Sequence, residues 1–405
     1  MVAGSIRPRH KRAREAANIG RDTLNCLMTG TKRRRPQKKI ATTLIAVVIL
    51  MIMLIYEAIS GAKLLPDAPS DSADSGSPNS PTSVVADAWY SVYFTDPSGT
   101  GATSARGGAD EALATAIDNA RLSVDMAIYD FDLANVRIAL ANAHRRGVTV
   151  RIVTDSDNLD EPEIQALKDA GIPVLGDRRE GLMHDKFVVI DRLEVWTGSM
   201  NFTFNDAYKN NNNLIRVRSS RLAQDYLTEF SEMFTDDEFG PRSPANTPYS
   251  TLSVDSSQLE VYFSPDDGTA GHLIDLINAA RQSISFLAYS FTADDLASAM
   301  LARAPAGITI SGVFEERQYR SNTGTEYDHF RSSGQDVRLD GNPRNMHHKV
   351  IIIDGQIVVT GSYNFSASAE KSNDENTLVI HNAEIASLYL SEFQRVLEAA
   401  QPLGD

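Results

Sequence analysis

The chain has 405 residues and a mass of 44.3 kDa, more than a single core usually serves and enough for two domains of ordinary size. A composition of 42% hydrophobic and 23% charged residues excludes a disordered, collagen-like or multi-span membrane chain. One cysteine, Cys26, excludes a disulfide scaffold and a cysteine-built zinc or iron–sulfur site. The net charge of −14 hides two unlike parts, +9 through Ala62 and −23 beyond it.

Residues 1–39 read as a basic cytoplasmic tail ending in Lys32-Arg33-Arg34-Arg35-Pro36-Gln37-Lys38-Lys39. Residues 40–56 follow, seventeen positions without a charge. A helix rising about 1.5 Å per residue crosses a bilayer with roughly 17–25 such residues. Extended by Ala58 and Ile59, residues 40–59 are expected to form one transmembrane anchor. The basic flank places the N-terminus in the cytoplasm and the rest of the chain outside it. Ser60-Gly61-Ala62 also suits a signal peptidase, which would give a secreted protein instead; the long basic region favours an uncleaved anchor. Cys26 then lies inside, and no cysteine is left outside to oxidise. Residues 60–87, rich in Pro, Ser, Asp and Ala, read as a flexible spacer.

Beyond the spacer the sequence repeats itself. Val92-Tyr93-Phe94-Thr95 returns as Val261-Tyr262-Phe263-Ser264, and Ala116-Ile117-Asp118-Asn119-Ala120-Arg121 as Leu276-Ile277-Asn278-Ala279-Ala280-Arg281. Strand-like segments follow at 122–131 and 282–291, with Tyr129/Phe131 matched by Tyr289/Phe291. Leu113, Ile117 and Ala120, like Leu273, Ile277 and Ala280, mark one face of a helix. Each half therefore reads as alternating strands and helices, and the fold class expected is α/β: two similar α/β sandwich halves related by a pseudo-twofold axis. The halves are placed at 88–236 and 258–405. Residues 237–257, with Pro241, Pro244 and Pro248, form the expected linker.

One constellation occurs twice at identical spacing. His184, Lys186, Asp191, Gly198, Ser199 and Asn201 spell H-x-K-x4-D-x6-G-S-x-N, and His347, Lys349, Asp354, Gly361, Ser362 and Asn364 spell it again. The β-branched runs 187–190 and 350–353 predict strands, on which residues two apart share a face. Asp191-Arg192 and Asp354-Gly355 predict hairpin turns that return Gly-Ser-x-Asn beside the His/Lys end. Each half then presents an imidazole, an ammonium, an amide and a hydroxyl at one rim. Two such rims suit displacement at a phosphodiester. Lys186, Lys349, Asn201 and Asn364 would hold the non-bridging oxygens. One histidine would attack phosphorus and the other would serve the leaving oxygen and then water. Ser199 and Ser362 are candidate phosphate donors or turn caps. His348 points to the opposite strand face and is assigned to structure, and Met183 and Met346 to the core. No acidic cage for a divalent ion accompanies the motifs, so no metal or other cofactor is expected and activity should persist in EDTA.

This repeated motif resembles that of the phospholipase D superfamily, over residues 89–400. The resemblance implies a phosphohistidine mechanism and gives Asp191 and Asp354, with Gly198 and Gly361, a structural role. It also implies an acid near Glu375 to accept the catalytic histidine's second N–H. Glu375 stands 28 residues after His347, whereas Asn212 stands 28 after His184. A carboxylate raises an imidazole's pKa and an amide does not. The expectation is therefore His184 as nucleophile and His347, partnered by Glu375, as general acid and base.

The superfamily includes phospholipases, nucleases and phosphatidyltransferases. A phosphoric diester hydrolase of the phospholipase D type, acting on phospholipid in a membrane, is expected first, because the anchor keeps the site near headgroups. An endonuclease comes second. Nucleic acid binding leans on basic surface, and a −23 portion offers only a local rim of Arg178, Arg179, Lys209, Arg317, Arg320 and Arg344. A phosphatidyltransferase similar to cardiolipin synthase is third, and a non-catalytic relative last. With both motifs in one chain, a monomer is expected.

Overall fold

A computed structural model describes residues 88–401. The basic tail, the anchor at 40–59 and the spacer at 60–87 lie outside the described residues. Among the described residues, no helix is long and apolar enough to cross a membrane.

Half 1 is a seven-stranded sheet of β1 (Tyr90–Phe94), β2 (Ser123–Ile128), β3 (Thr149–Thr154), β4 (Val174–Gly176), β5 (Lys186–Ile190), β6 (Glu194–Gly198) and β7 (Asn213–Arg218). Its order is β1-β7-β6-β5-β2-β3-β4. Half 2 holds β8 (Thr251–Val254), β9 (Ser257–Ser264), β10 (Ser283–Ala288), β11 (Thr309–Phe314), β12 (Asp336–Leu339), β13 (Lys349–Ile353), β14 (Ile357–Gly361) and β15 (Glu375–His381). Their order, β12-β11-β10-β13-β14-β15-β9-β8, repeats that of half 1 with β8 added at one edge. In both halves the strands reached by helical crossovers pair in parallel, β2 with β3 and β10 with β11, while the motif hairpins pair antiparallel.

The helices divide the molecule into layers. Helices α1 (Ala109–Asn119) and α2 (Ala134–Arg145) cover one face of the first sheet, and their apolar stripes join Val124, Met126, Val188 and Trp196 in one core. Helices α4 (Thr269–Ala279) and α5 (Asp294–Leu301) do the same for the second. Helices α3 (Ser220–Ser231) and α6 (Ala383–Ala399) lie in the third core, shared by the two sheets: Tyr226, Phe230, Tyr389 and Phe393 pack there with Phe187, Val189, Val350 and Ile352. Both central helices are capped as the sequence invites, Ser219 accepting the Leu222 N–H at 3.3 Å and Asn382 the Ile385 N–H at 2.9 Å. The two halves thus share one buried interior, and the described residues fall in a single compact unit.

The 237–257 linker is not irregular throughout. Thr251–Val254 pairs with β9 through a two-residue turn whose Asp255 sits at φ 53°. The alternation of Thr251-Leu252-Ser253-Val254 buries Leu252 and is a strand signal that the surrounding prolines obscure.

Candidate active site

The motif hairpins position the chemistry. Asp191 and Arg192 have φ of 54° and 56°, and Asp354 and Gly355 have 54° and 61°, the double left-handed turn that matches strand twist. The Asp191 carboxylate accepts the backbone N–H groups of Arg121, Leu122 and Ser123 at 2.7–3.1 Å. Asp354 does the same for Arg281, Gln282 and Ser283. Each aspartate therefore ties its hairpin to the neighbouring strand, far from the motif histidine. At the other end, Gly198 and Gly361 adopt φ of 151° and 143°. A Cβ there would meet the Asn213 carbonyl at 2.4 Å or the Asn376 carbonyl at 2.2 Å, so no other residue fits.

The halves are joined at the seam by isolated backbone bridges, Met183 with Asp374 and Asn211 with Met346. The His184 N–H bonds the Asp374 carbonyl at 3.0 Å and the His347 N–H bonds the Asn211 carbonyl at 2.9 Å. Because the start of β15 lies beside His184 and the approach to β7 lies beside His347, each histidine is supported from the opposite half. The His184 Nδ1 is 2.7 Å from Glu375 Oε2. The His347 Nδ1 is 3.0 Å from Asn212 Oδ1. This corrects the expected pairing: Glu375 serves His184, not His347. The equal spacing of 28 residues holds, but it was counted within a half, whereas the bridges Met183–Asp374 and Asn211–Met346 cross between halves.

Lys186 and Lys349 are buried and donate to the carbonyls of His184 (2.6 Å) and His347 (2.9 Å). Their ammonium groups also lie over the rings of Tyr129 and Tyr289, at 5.2 and 4.7 Å, and those rings pack against His184 and His347 at centroid distances of 5.0 and 4.5 Å. The side-chain carbonyls of Asn201 and Asn364 have no partner, so each amide is free to turn its NH2 toward a phosphate. The serines differ from expectation. Ser199 and Ser362 are fully buried; Ser199 donates to Asn212 Oδ1 at 2.9 Å and Ser362 bonds Glu375. They hold the histidines' partners rather than phosphate, because the turn that exposes Asn201 and Asn364 directs the serine between them inward.

Burial, together with the two ammonium groups, pushes His184 and His347 well below the ordinary imidazole value. Burial lowers Lys186 to about 8 and raises Glu375 to about 7. The site is thus a buried, cation-rich cluster that a phosphate diester anion would stabilise. His348 faces away, as expected, between Glu392 (2.9 Å) and Asn213 (3.1 Å), and Met183 and Met346 are in the shared core. Among the described residues no group of His, Cys, Asp or Glu is arranged to hold a metal ion. Residues that sequence reasoning missed are Tyr129 and Tyr289 in their ring contacts, legible as matched positions of the repeat, and Asp206, whose carboxylate lies 3.6 Å from His347 Nδ1.

The proposed basic rim is largely spent. Arg178 pairs with Asp237, Arg179 with Asp374, and Arg320 with Glu316. Lys209 and Arg317 donate to the carbonyls of Ala102 and Pro343.

A family model described as "Cardiolipin synthase, PLD-like domain" matches residues 113–234 and again 273–397, one copy in each half and together more than half of the chain. A stretch of 169 residues is 30% identical to a phospholipase D of Rickettsia bellii (strain RML369-C), covering 42% of this chain and 83% of that protein. Another alignment, of 136 residues, is 31% identical to a mitochondrial cardiolipin hydrolase of Xenopus tropicalis and covers 34% of this chain. It spans 64% of that relative, so the likeness stops short of its full length. Among solved structures, a phosphatidylserine synthase from Haemophilus influenzae Rd KW20 matches over 73% of this chain and 85% of its own, with a TM-score of 0.56 at 13% identity; the likeness is one of fold.

Proposed function

The chain belongs to the phospholipase D superfamily and is a phosphodiesterase of that kind, and from this premise we propose that it hydrolyses glycerophospholipids to phosphatidic acid and a free headgroup alcohol. His184 is the nucleophile. Its Nδ1–H donates to Glu375, which leaves the Nε2 lone pair to attack phosphorus. Lys186, Lys349, Asn201 and Asn364 take up the charge on the non-bridging oxygens. The headgroup oxygen leaves with a proton from Nε2 of His347, and the phosphatidyl group stays bonded to His184. Water, giving a proton to His347, then breaks the phosphorus–nitrogen bond.

The crossed pairing supports this assignment on new grounds. An attacking imidazole gains positive charge as the bond to phosphorus forms, so a carboxylate partner favours its transition state. A proton donor loses positive charge, and an amide such as that of Asn212 does not oppose the loss. The 2.7 Å contact between His184 and Glu375 is the observation that carries the reading.

Lipid is favoured over nucleic acid because five of the six rim cations, all but Arg344, are paired or bonded internally, leaving little to follow a polynucleotide backbone. The relatives named phospholipase D and cardiolipin hydrolase agree with that choice. The apolar segment at 40–59 and the spacer at 60–87 would hold a monomeric catalytic unit near headgroups, outside the cytoplasm.

The test offers the full chain, in EDTA, mixed phospholipid vesicles and, separately, single- and double-stranded nucleic acids. Headgroup release is expected, with His184→Ala and His347→Ala each losing at least about 100-fold and a phosphoryl adduct trapped on His184. Cleavage of nucleic acid alone would overturn the lipid reading. Transfer to an added alcohol in preference to water would make the chain a phosphatidyltransferase. Retained activity in either histidine variant would overturn the paired mechanism.

A further inference from the structure

Aligning His184 with His347 sets Asn212 against Glu375 and Asp206 against Ala369. One half carries a carboxylate where the strand enters the seam and an alanine six residues before it; the other carries an amide and, six residues earlier, a carboxylate. We propose that Asp206 is a positioning residue of the reaction, delivering to Nδ1 of His347 the negative charge that Asn212 does not supply. The proposal rests on the reading of His347 as proton donor.

The geometry is built for the purpose. Asp206 lies in the short helix Phe204–Tyr208, whose N-cap Thr203 accepts the Asp206 N–H. The residue is 3% exposed. Its Oδ2 accepts the Asn201 N–H at 2.8 Å and stands 3.6 Å from His347 Nδ1, beyond a hydrogen bond but within reach of an ion pair. Its Oδ1 accepts the Asn210 amide. The NH2 of Asn212 donates to the Asp206 main-chain carbonyl at 3.3 Å, so amide and carboxylate are fixed relative to each other. One side chain thereby links the motif asparagine, the loop before β7 and the histidine of the other half.

The surroundings show why a carboxylate is needed. His347 faces Lys349 on its own strand, Lys186 and His184 across the seam, His348 beside it and the Tyr289 ring. The acids acting on Lys349 are Asp206 and Glu375, and Lys186 has Asp185 and Asp130 beside it as well; Glu375 is committed to His184. A buried imidazole beside two ammonium groups resists protonation, and a donor that is not protonated cannot serve the leaving oxygen. Asp206 offsets that resistance from the side opposite the reacting nitrogen.

The experiment measures kcat/KM against pH for the full chain, Asp206→Asn, and the double variant Asp206→Ala/Asn212→Glu, which rebuilds in half 1 the arrangement of half 2. Phosphatidylcholine vesicles supply an alkoxide that needs a proton, and bis(4-nitrophenyl) phosphate supplies a leaving group that does not. In Asp206→Asn the alkaline limb on vesicles should move down by about one pH unit, so that the loss at pH 8 exceeds that at pH 5.5 about tenfold. Cleavage of the nitrophenyl diester should be spared, and the double variant should regain the limb. A loss equal at all pH values, or equal on both substrates, would reduce Asp206 to a structural residue and overturn the proposal. A second readout needs no substrate. Nitrogen-15 titration of histidine side chains should show His347 protonating at lower pH in Asp206→Asn than in the parent. An unchanged His347 titration overturns the proposal whatever the substrate proves to be, whereas inert vesicles with a shifted titration would count against the lipid reading alone.

Discussion

Glu375 illustrates how much one side chain can depend on its environment. It is 1% exposed, receives the Asn373 amide at 3.3 Å and the Ser362 hydroxyl, and faces His184. Burial raises it to about 7, well above the ordinary carboxylate range. On the assignment proposed above, the carboxylate stabilises the positive charge that His184 would gain as its bond to phosphorus forms. Glu375→Gln keeps the shape and removes that charge. It should lower the rate of adduct formation on His184 about 100-fold, with a smaller effect on hydrolysis of the adduct once formed. Rapid-quench trapping of the labelled adduct separates the two steps; equal slowing of both would show that Glu375 only orients the ring.

At the scale of the elements, the hairpins β5–β6 and β13–β14 behave as rigid arms clamped at their far ends. Asp191 fixes three successive N–H groups that begin β2, which would otherwise turn to solvent. Asp191→Ala should cost about 1–2 kcal/mol in a urea titration and leave the alkaline limb of the activity profile in place. These arms were readable beforehand. The Asp-Arg and Asp-Gly turns, the strand runs and the fixed spacing to Gly-Ser-x-Asn are local signals, written within about 20 residues, and β5, β6, β13 and β14 follow from them. What was not readable is what crosses the seam. Whether Glu375 meets His347 or His184 depends on which half's strand enters beside which histidine, and no periodicity records that. Ser199 and Ser362 were misplaced for a related reason: the left-handed Gly before each turns it toward Asn212 or Glu375, a matter of backbone dihedral rather than residue type. β8 was missed because three prolines nearby outweighed a four-residue alternation.

The whole molecule carries an unusual load of buried acid. Burial raises Asp225, Glu232, Asp266, Glu315 and Glu375 to about 7, and Asp130 and Asp374 to about 6. Between about pH 4 and 7 these groups hold protons in the native state that the unfolded chain has lost, so stability falls as pH rises through that window. His184, His347 and His348, lowered by burial, act in the opposite sense below about 6.5 but are outnumbered. The melting temperature should therefore be higher at pH 5 than at pH 7.5, and the reverse order in a thermal melt would show that the acids are solvated.

The crossed supports also give the reaction a direction. A centre assembled from two identical arms would receive a diester either way round, and either oxygen substituent would be as good a candidate for departure as the other. Here the arms are unlike: Glu375 stands behind one ring, and Asn212 with Asp206 behind the other. Joining the arms in one chain lets each be supported differently, and on the assignment proposed above a bound diester would be read with a sense, its leaving alcohol departing toward His347.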